Sequence, residues 1–221
     1  MLFRSDFCSM LGKFTNLDDM IAHGEYVQQD FKFGITDSRK ISRSLSAFAN
    51  TIGGRLLIGV KDNGTIVGVK TEEEFYMVEA AAQLYSVPEI DFLSKAWNFE
   101  GKTVLEVRIE ESTLKPHYVK NSDGTKNAYF RVKDENILAS PVLIKVWQKQ
   151  KQSRGTLVRY SIPESLVFKY LSEHDYLSLS KFKKLGRLRQ KEAVETLANL
   201  LIFGLLRFEY TDKQYIYRLA E

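Results

Sequence analysis

The sequence predicts two domains: an α/β domain in which strands and helices intermix, then a small helical domain that closes on a β-hairpin. Three observations predict this. A chain of 221 residues is long for one small module and short for three. Up to about residue 140, apolar spacings of two and of 3.6 alternate along the chain, as strands and helices require. Beyond a helix ending near Lys151 and the polar run Gln152-Ser153-Arg154-Gly155, the pattern changes to helices and a final hairpin. The domains are accordingly placed at residues 1–151 and 156–221, with the polar run as linker.

The elements follow in order. A helix is expected near Asp18 and Asp19, ending at Gly24. Tyr26 to Phe33, with Val27, Phe31 and Phe33, predicts a strand. Asp37 or Ser38 caps a helix with apolar positions Ile41, Leu45, Phe48 and Ala49 and with Arg39, Lys40 and Arg43 on its other face. Asn50, Gly53 and Gly54 stop it, since glycine tolerates the left-handed backbone past a helix end. Arg55 to Val60 predicts a buried strand, Asp62-Asn63-Gly64 a hairpin turn and Thr65 to Val69 the return strand. Glu72, Glu73 and Glu74 suit the first turn of a helix running to Ser86. Strands are expected at Val104–Ile109, His117–Lys120 and Tyr129–Lys133.

In the second domain Pro163 opens a helix through Leu166, Val167, Tyr170 and Leu171. Ser178 or Ser180 caps a short one through Phe182 and Leu185, and Arg189 to Phe203 forms a longer one. Gly204 ends it, and Leu205–Tyr210 with Gln214–Leu219 makes a hairpin. Three helices and a hairpin is the winged-helix order, with the second and third helices in the helix-turn-helix roles.

Composition excludes several classes. No run of eighteen apolar residues occurs, and Met1 to Thr15 lacks an apolar core for a secretory signal, so no membrane span or leader is expected. The single cysteine, Cys8, permits neither an intramolecular disulfide nor a multi-cysteine zinc site, and it fits a reducing, cytoplasmic location. His23, His117 and His174 show no ligand spacing and read as structural. No G-x-x-x-x-G-K-[ST] loop is present to cradle phosphates. Charge is distributed unevenly. Between Lys145 and Lys191 twelve Lys/Arg stand against three acids, a net of +9, which leaves −5 for the rest of a chain of net charge +4. Such asymmetry points to a polyanionic partner for the C-terminal half.

The block Ser46-Ala47-Phe48-Ala49-Asn50-Thr51-Ile52-Gly53-Gly54, followed by Leu57-Ile58-Gly59-Val60-Lys61-Asp62, resembles the AlbA-like domain of Schlafen proteins. Glu25 with Asp30-Phe31-Lys32 upstream resembles a further element of that family. So do Lys115-Pro116-His117 and Tyr129-Phe130-Arg131-Val132 with Asn136 and Ala139-Ser140 downstream, and the likeness spans residues 25–140. It implies an α/β (α+β) domain with a mixed sheet and, in many prokaryotic relatives, nucleic-acid binding. It also implies an alternative, a metal-dependent endoribonuclease in which Glu25, Asp30 and Asp62 would bind Mg²⁺ or Mn²⁺, ions that prefer hard oxygen ligands. A simpler reading pairs Asp30 with Lys32 and gives Asp62 to the hairpin turn.

The leading expectation is a non-catalytic, DNA-binding transcriptional regulator without a cofactor, binding DNA in preference to RNA and able to form a homodimer. The expected nucleic-acid contacts are Lys181, Lys183, Lys184, Arg187, Arg189 and Lys191, with Arg39, Lys40 and Arg43 of the first domain. Glu192, Glu195, Thr196 and Asn199 are expected on the outer face of the long helix, where acids would oppose entry into a negative groove. A protein-interaction adaptor is the remaining alternative.

Overall fold

The computed structural model describes residues 14, 16–151 and 161–220. It divides into two compact units between Ala139 and Ser140.

The first unit opens with α1 (Leu17–His23), capped by Asn16, whose side chain accepts from the Asp19 amide. Strand β1 (Gln29–Lys32) precedes α2 (Ser38–Asn50) and β2 (Gly54–Ile58). The Asp37 side chain caps α2 by accepting from the Arg39 amide. Helix α3 (Glu73–Gln83) leads to β3 (Ser86–Val87), β4 (Leu93–Phe99) and β5 (Lys102–Ile109). Strands β6 (Tyr118–Lys120), β7 (Lys126–Val132) and β8 (Glu135–Leu138) complete it.

Two four-stranded sheets result, ordered β1-β2-β5-β4 and β3-β6-β7-β8. The first is mixed, because β1 runs parallel to β2 while β5 and β4 are antiparallel to their neighbours. Its two faces bury separate apolar clusters. One joins Leu45 and Phe48 of α2 and Val78 and Ala81 of α3 to Leu56, Ile58 and Val107. The other joins Leu17 and Met20 of α1 to Phe31, Leu57 and Val104. Burial on both faces explains the continuous apolar run of β2.

Three local differences from the sequence reading stand out. The strand expected at Tyr26–Phe33 is shorter, since Tyr26 and Gln29 instead close a tight turn through reciprocal backbone hydrogen bonds. Thr65 to Val69 forms no ladder beyond an isolated Val60–Ile66 bridge; Val67 and Gly68 amides both bond to the Gly59 carbonyl, which turns the segment away. Strands β3, β4 and β8 were not expected.

The second unit contains α4 (Pro141–Gln150), α5 (Ile162–Leu171), α6 (Leu179–Gly186) and α7 (Gln190–Ile202), then the antiparallel hairpin β9 (Leu206–Thr211) and β10 (Gln214–Leu219). Ser140, Ser161 and Ser178 cap α4, α5 and α6. Leu177, between α5 and α6, exchanges backbone hydrogen bonds with Tyr217 and so adds a third strand position to the hairpin. The expected 1–151 and 156–221 division shifts here. Val142 and Val146 of α4 join Phe182, Leu197 and Leu201 in one core, so this helix belongs with the second unit. The linker expected at Gln152–Gly155 lies outside the described residues, as does Cys8. Among the described residues no helix is long and apolar enough to cross a membrane.

Candidate functional site

Asn50 and Thr51, at the end of α2, tie this helix to β7 and to the His117 segment that leads into β6. Asn50 Nδ2 donates to the carbonyls of His117 (2.9 Å) and Tyr129 (2.9 Å), while its Oδ1 accepts from the His117 amide (2.8 Å). Thr51 Oγ1 donates to the Ala47 carbonyl and accepts from the Arg131 amide (2.9 Å). Gly53 has φ +74, and a Cβ there would stand 2.8 Å from the Ile109 carbonyl oxygen. Gly54 differs: its φ is ordinary, and a Cβ would be built into the Phe48 ring. The whole block is therefore framework that carries the neighbouring polar site. Asn50→Ala should cost about 2–4 kcal/mol by orphaning the buried His117 amide and weakening two carbonyl contacts. Urea unfolding measures that loss.

The buried His117 is equally structural, its ring nitrogens meeting the Pro88 carbonyl (2.9 Å) and Ser112 Oγ (2.6 Å).

Glu25 and Asp30 come together because Glu25 precedes β1 and the Tyr26–Gln29 turn folds it back, so that its Oε1 accepts from the Phe31 amide (2.7 Å). Within regular strand, positions five apart would face opposite sides. The buried Asp30 carboxylate meets Lys32 Nζ (2.9 Å), Ser44 Oγ (3.2 Å) and Arg131 Nη1 (3.8 Å). Arg131 is itself fully buried, donating to Asn136 Oδ1 (3.0 Å) and to the Tyr26 and Gln29 carbonyls, with its guanidinium 4.9 Å from the Phe48 ring centroid. Burial pushes its pKa down, opposed by Asp30 and Glu25. Sequence reasoning missed Ser44 and the role of Arg131, since nothing local marks an arginine on an apolar strand as the partner of an aspartate about a hundred residues away.

Burial raises the Glu25 pKa to about 7, helped by its hydrogen bond to Asp30 and by that neighbour's charge, against the Phe31 amide and Lys32. A carboxyl whose folded pKa exceeds its unfolded value stabilises the fold at low pH, and the contribution disappears as pH rises through the folded value. Wild-type Tm should therefore fall between about pH 4.5 and pH 7, and level off above that, relative to Glu25→Gln, which stays neutral throughout. Parallel Tm–pH curves for the two proteins would contradict this.

Asp62 is exposed on the turn that the Lys61 and Thr65 backbone closes. Among the described residues no three His, Cys, Asp or Glu side chains gather to hold a metal ion. The Asp30 carboxylate is already engaged by two cations and a hydroxyl, so the residues present do not fit a three-carboxylate Mg²⁺ or Mn²⁺ site.

The basic residues are arranged differently. In the second unit α6 ends with Arg187 in the left-handed region (φ 51, ψ 36), and Arg189 is the N-cap of α7. Lys181, Lys184, Arg187, Arg189 and Lys191 are exposed and Lys183 half-buried; among the described residues none of the six is ion-paired. Of the acidic face expected on α7, only Glu192 is left exposed. Glu195 is ion-paired with Lys145 (3.0 Å) and Lys149 of α4, Asn199 accepts from Lys149, and Thr196 is buried, so this side of α7 packs against α4. In the first unit Arg39, Lys40 and Arg43 are exposed on α2, with the guanidinium of Arg39 4.8 Å from the Tyr85 ring centroid and that of Arg43 5.9 Å from the Tyr129 ring centroid.

Comparison with known proteins adds three findings. Residues 25–140 match the family described as Schlafen, AlbA_2. No curated protein matches the chain. Among solved structures, a Corynebacterium diphtheriae protein is similar over 92% of this chain and 42% of its own length, at 16% identity and a TM-score of 0.46. The chain thus spans less than half of that protein. The N-terminal domain of a RecG-related protein from Nitrosomonas europaea is similar over 65% of this chain and 95% of that domain, at 20% identity and a TM-score of 0.37.

Proposed function

Since the chain belongs to the Schlafen AlbA_2 family through residues 25–140, we propose that it binds nucleic acid, as a DNA-binding transcriptional regulator whose second unit is a winged helix. The observation that carries this reading is the exposed, unpaired basic turn between α6 and α7. The cations of α4 that face α7 are neutralised by Glu195, whereas the six at the turn have no acidic partner among the described residues. Lysines and arginines left free in this way neutralise phosphates, and the counterions they release drive association.

Element order supports the same assignment. The order α5, Leu177 strand position, α6, α7 and hairpin fits that of a winged helix, in which α7 would be the recognition helix and the Asp212-Lys213 turn, where both residues have positive φ, the tip of the wing. The α7 N-terminus adds unsatisfied amides that favour an anionic oxygen. Arg39, Lys40 and Arg43, beside Tyr85 and Tyr129, offer the first unit a second contact of cations with aromatic rings.

Fluorescence anisotropy on labelled duplex DNA and on structured RNA, each across a salt series and with or without Mn²⁺, tests the proposal. Salt-sensitive duplex binding without cleavage is expected. Cleavage of the RNA on adding Mn²⁺ would replace the regulator reading by the nuclease one. Absence of salt-dependent binding to either nucleic acid would leave a protein-interaction adaptor.

A further inference from the structure

The mixed sheet has two edges of different kinds. At β1 the outward backbone groups are covered: the Phe31 amide donates to Glu25, and Arg131 donates to the Tyr26 and Gln29 carbonyls. At β4, among the described residues, no group bonds the backbone beyond the ladder with β5. Exposed edges are normally guarded by shortness, proline, a bulge or an obstructing charge. Strand β4 has seven residues, no proline and unbroken pairing from Leu93–Arg108 to Phe99–Lys102. Leu93 is 66% exposed. Its only charge, Lys95, lies with its ammonium 3.4 Å from the Trp97 ring centroid, while Trp97 Nε1 is held by Glu106 (2.8 Å).

The strand also complements itself. Laid antiparallel on a second copy about Ala96, Leu93 faces Phe99, Ser94 faces Asn98, and Lys95 faces Trp97. Apolar meets apolar, amide meets hydroxyl, and each ammonium gains a second indole, the kinds of cross-strand pair that stabilise antiparallel ladders. Neighbouring registers are worse: centring on Lys95 opposes two ammonium groups, and centring on Trp97 leaves Leu93 and Ser94 without partners. On the α3 side, Ser94 and Ala96 line an open groove with Phe75, Tyr76 and Leu105, so small side chains stand where the second sheet would continue.

We propose that β4 pairs with β4 of a second copy of this chain, antiparallel about Ala96, to form a homodimer with one continuous sheet of eight strands. Light scattering on the full chain should give twice the 25.5 kDa monomer mass. Ala96→Lys, which sets two ammonium groups on the dyad, should return it to 25.5 kDa with an unchanged thermal melt. Directly opposed residues in an antiparallel pair have Cα atoms about 4.5–5.5 Å apart, within disulfide reach. In a Cys8→Ser background, oxidised Ala96→Cys should therefore run as a reducible dimer, and Ser94→Cys, far from its own copy in this register, should not. That contrast decides the matter even where Ala96→Lys fails to fold. A 25.5 kDa particle at every concentration, or a dimer that Ala96→Cys fails to cross-link, overturns the proposal. So does a monomer whose β4 amides resist hydrogen exchange, because a segment of the same chain would then occupy the edge.

Discussion

Replacing Lys183 and Lys184 together with alanine should weaken duplex DNA binding by roughly tenfold to thirtyfold at physiological salt and flatten the log–log salt slope by up to about 1.8. Each phosphate contact contributes about 0.9 to that slope in B-form DNA, so two lost contacts set the expected size. Both lysines sit in the last turn of α6, where their backbone carbonyls receive the Arg187 and Leu188 amides. Those hydrogen bonds do not involve the side chains. Alanine keeps the helix, and the stability change should stay within about half a kcal/mol per site. Anisotropy titrations from low to high salt measure both quantities. Asp62→Asn serves as the control with unchanged duplex affinity, since this carboxylate lies on an exposed turn of the other unit. Unchanged affinity and slope in the double variant would transfer DNA contact to Arg39, Lys40 and Arg43, or remove it altogether.

Gly54→Val should give the largest loss of stability, at least about 3 kcal/mol and a Tm lower by roughly 10 °C. The first atom of any side chain at this position is built into the Phe48 ring, which is buried between α2, α3 and the mixed sheet. Phe48 cannot give way, because it also lies against the Arg131 guanidinium that holds Asp30. Thermal melts and soluble yield report the effect, and any protein recovered folded should bind nucleic acid normally through α6 and α7. A stable Gly54→Val protein with selectively lost binding would show that this block contacts the ligand directly.

The functional elements differ in how far the sequence alone could reach them. The helix starts at Asp37 and Ser178 were legible because a cap is made within three residues of itself, whereas the start of α5 was marked by Pro163 and not by its cap Ser161. Helix α2 and the long α7 were legible from apolar periodicity, and the motif around Asn50, Gly53 and Gly54 from residue identity. Even so, the reason for Gly54 was not. Its backbone angle is ordinary, and only the nearby Phe48 ring excludes a side chain. Strand β4 escaped notice because its exposed residues include Leu93, Ser94, Lys95, Ala96 and Asn98, a mixture that does not alternate cleanly by polarity.

For the site the division is sharper. The sequence by itself determined where the cations cluster, because charge density is a property of the chain; that Glu25 and Asp30 could meet was implied only by the family resemblance. Only the tertiary structure decided which charges remain available. Glu195 was counted against groove entry until Lys145 and Lys149 of α4, some fifty residues away, proved to neutralise it. Asp30, a metal ligand only under the nuclease alternative, shares its carboxylate with Lys32, Arg131 and Ser44. An ion pair forms between whichever charges packing brings within about 4 Å, and the burial of one partner sets how strongly it is held. Neither quantity is written in the spacing of residues along the chain, which is why the same cations could be located from sequence while their partners could not.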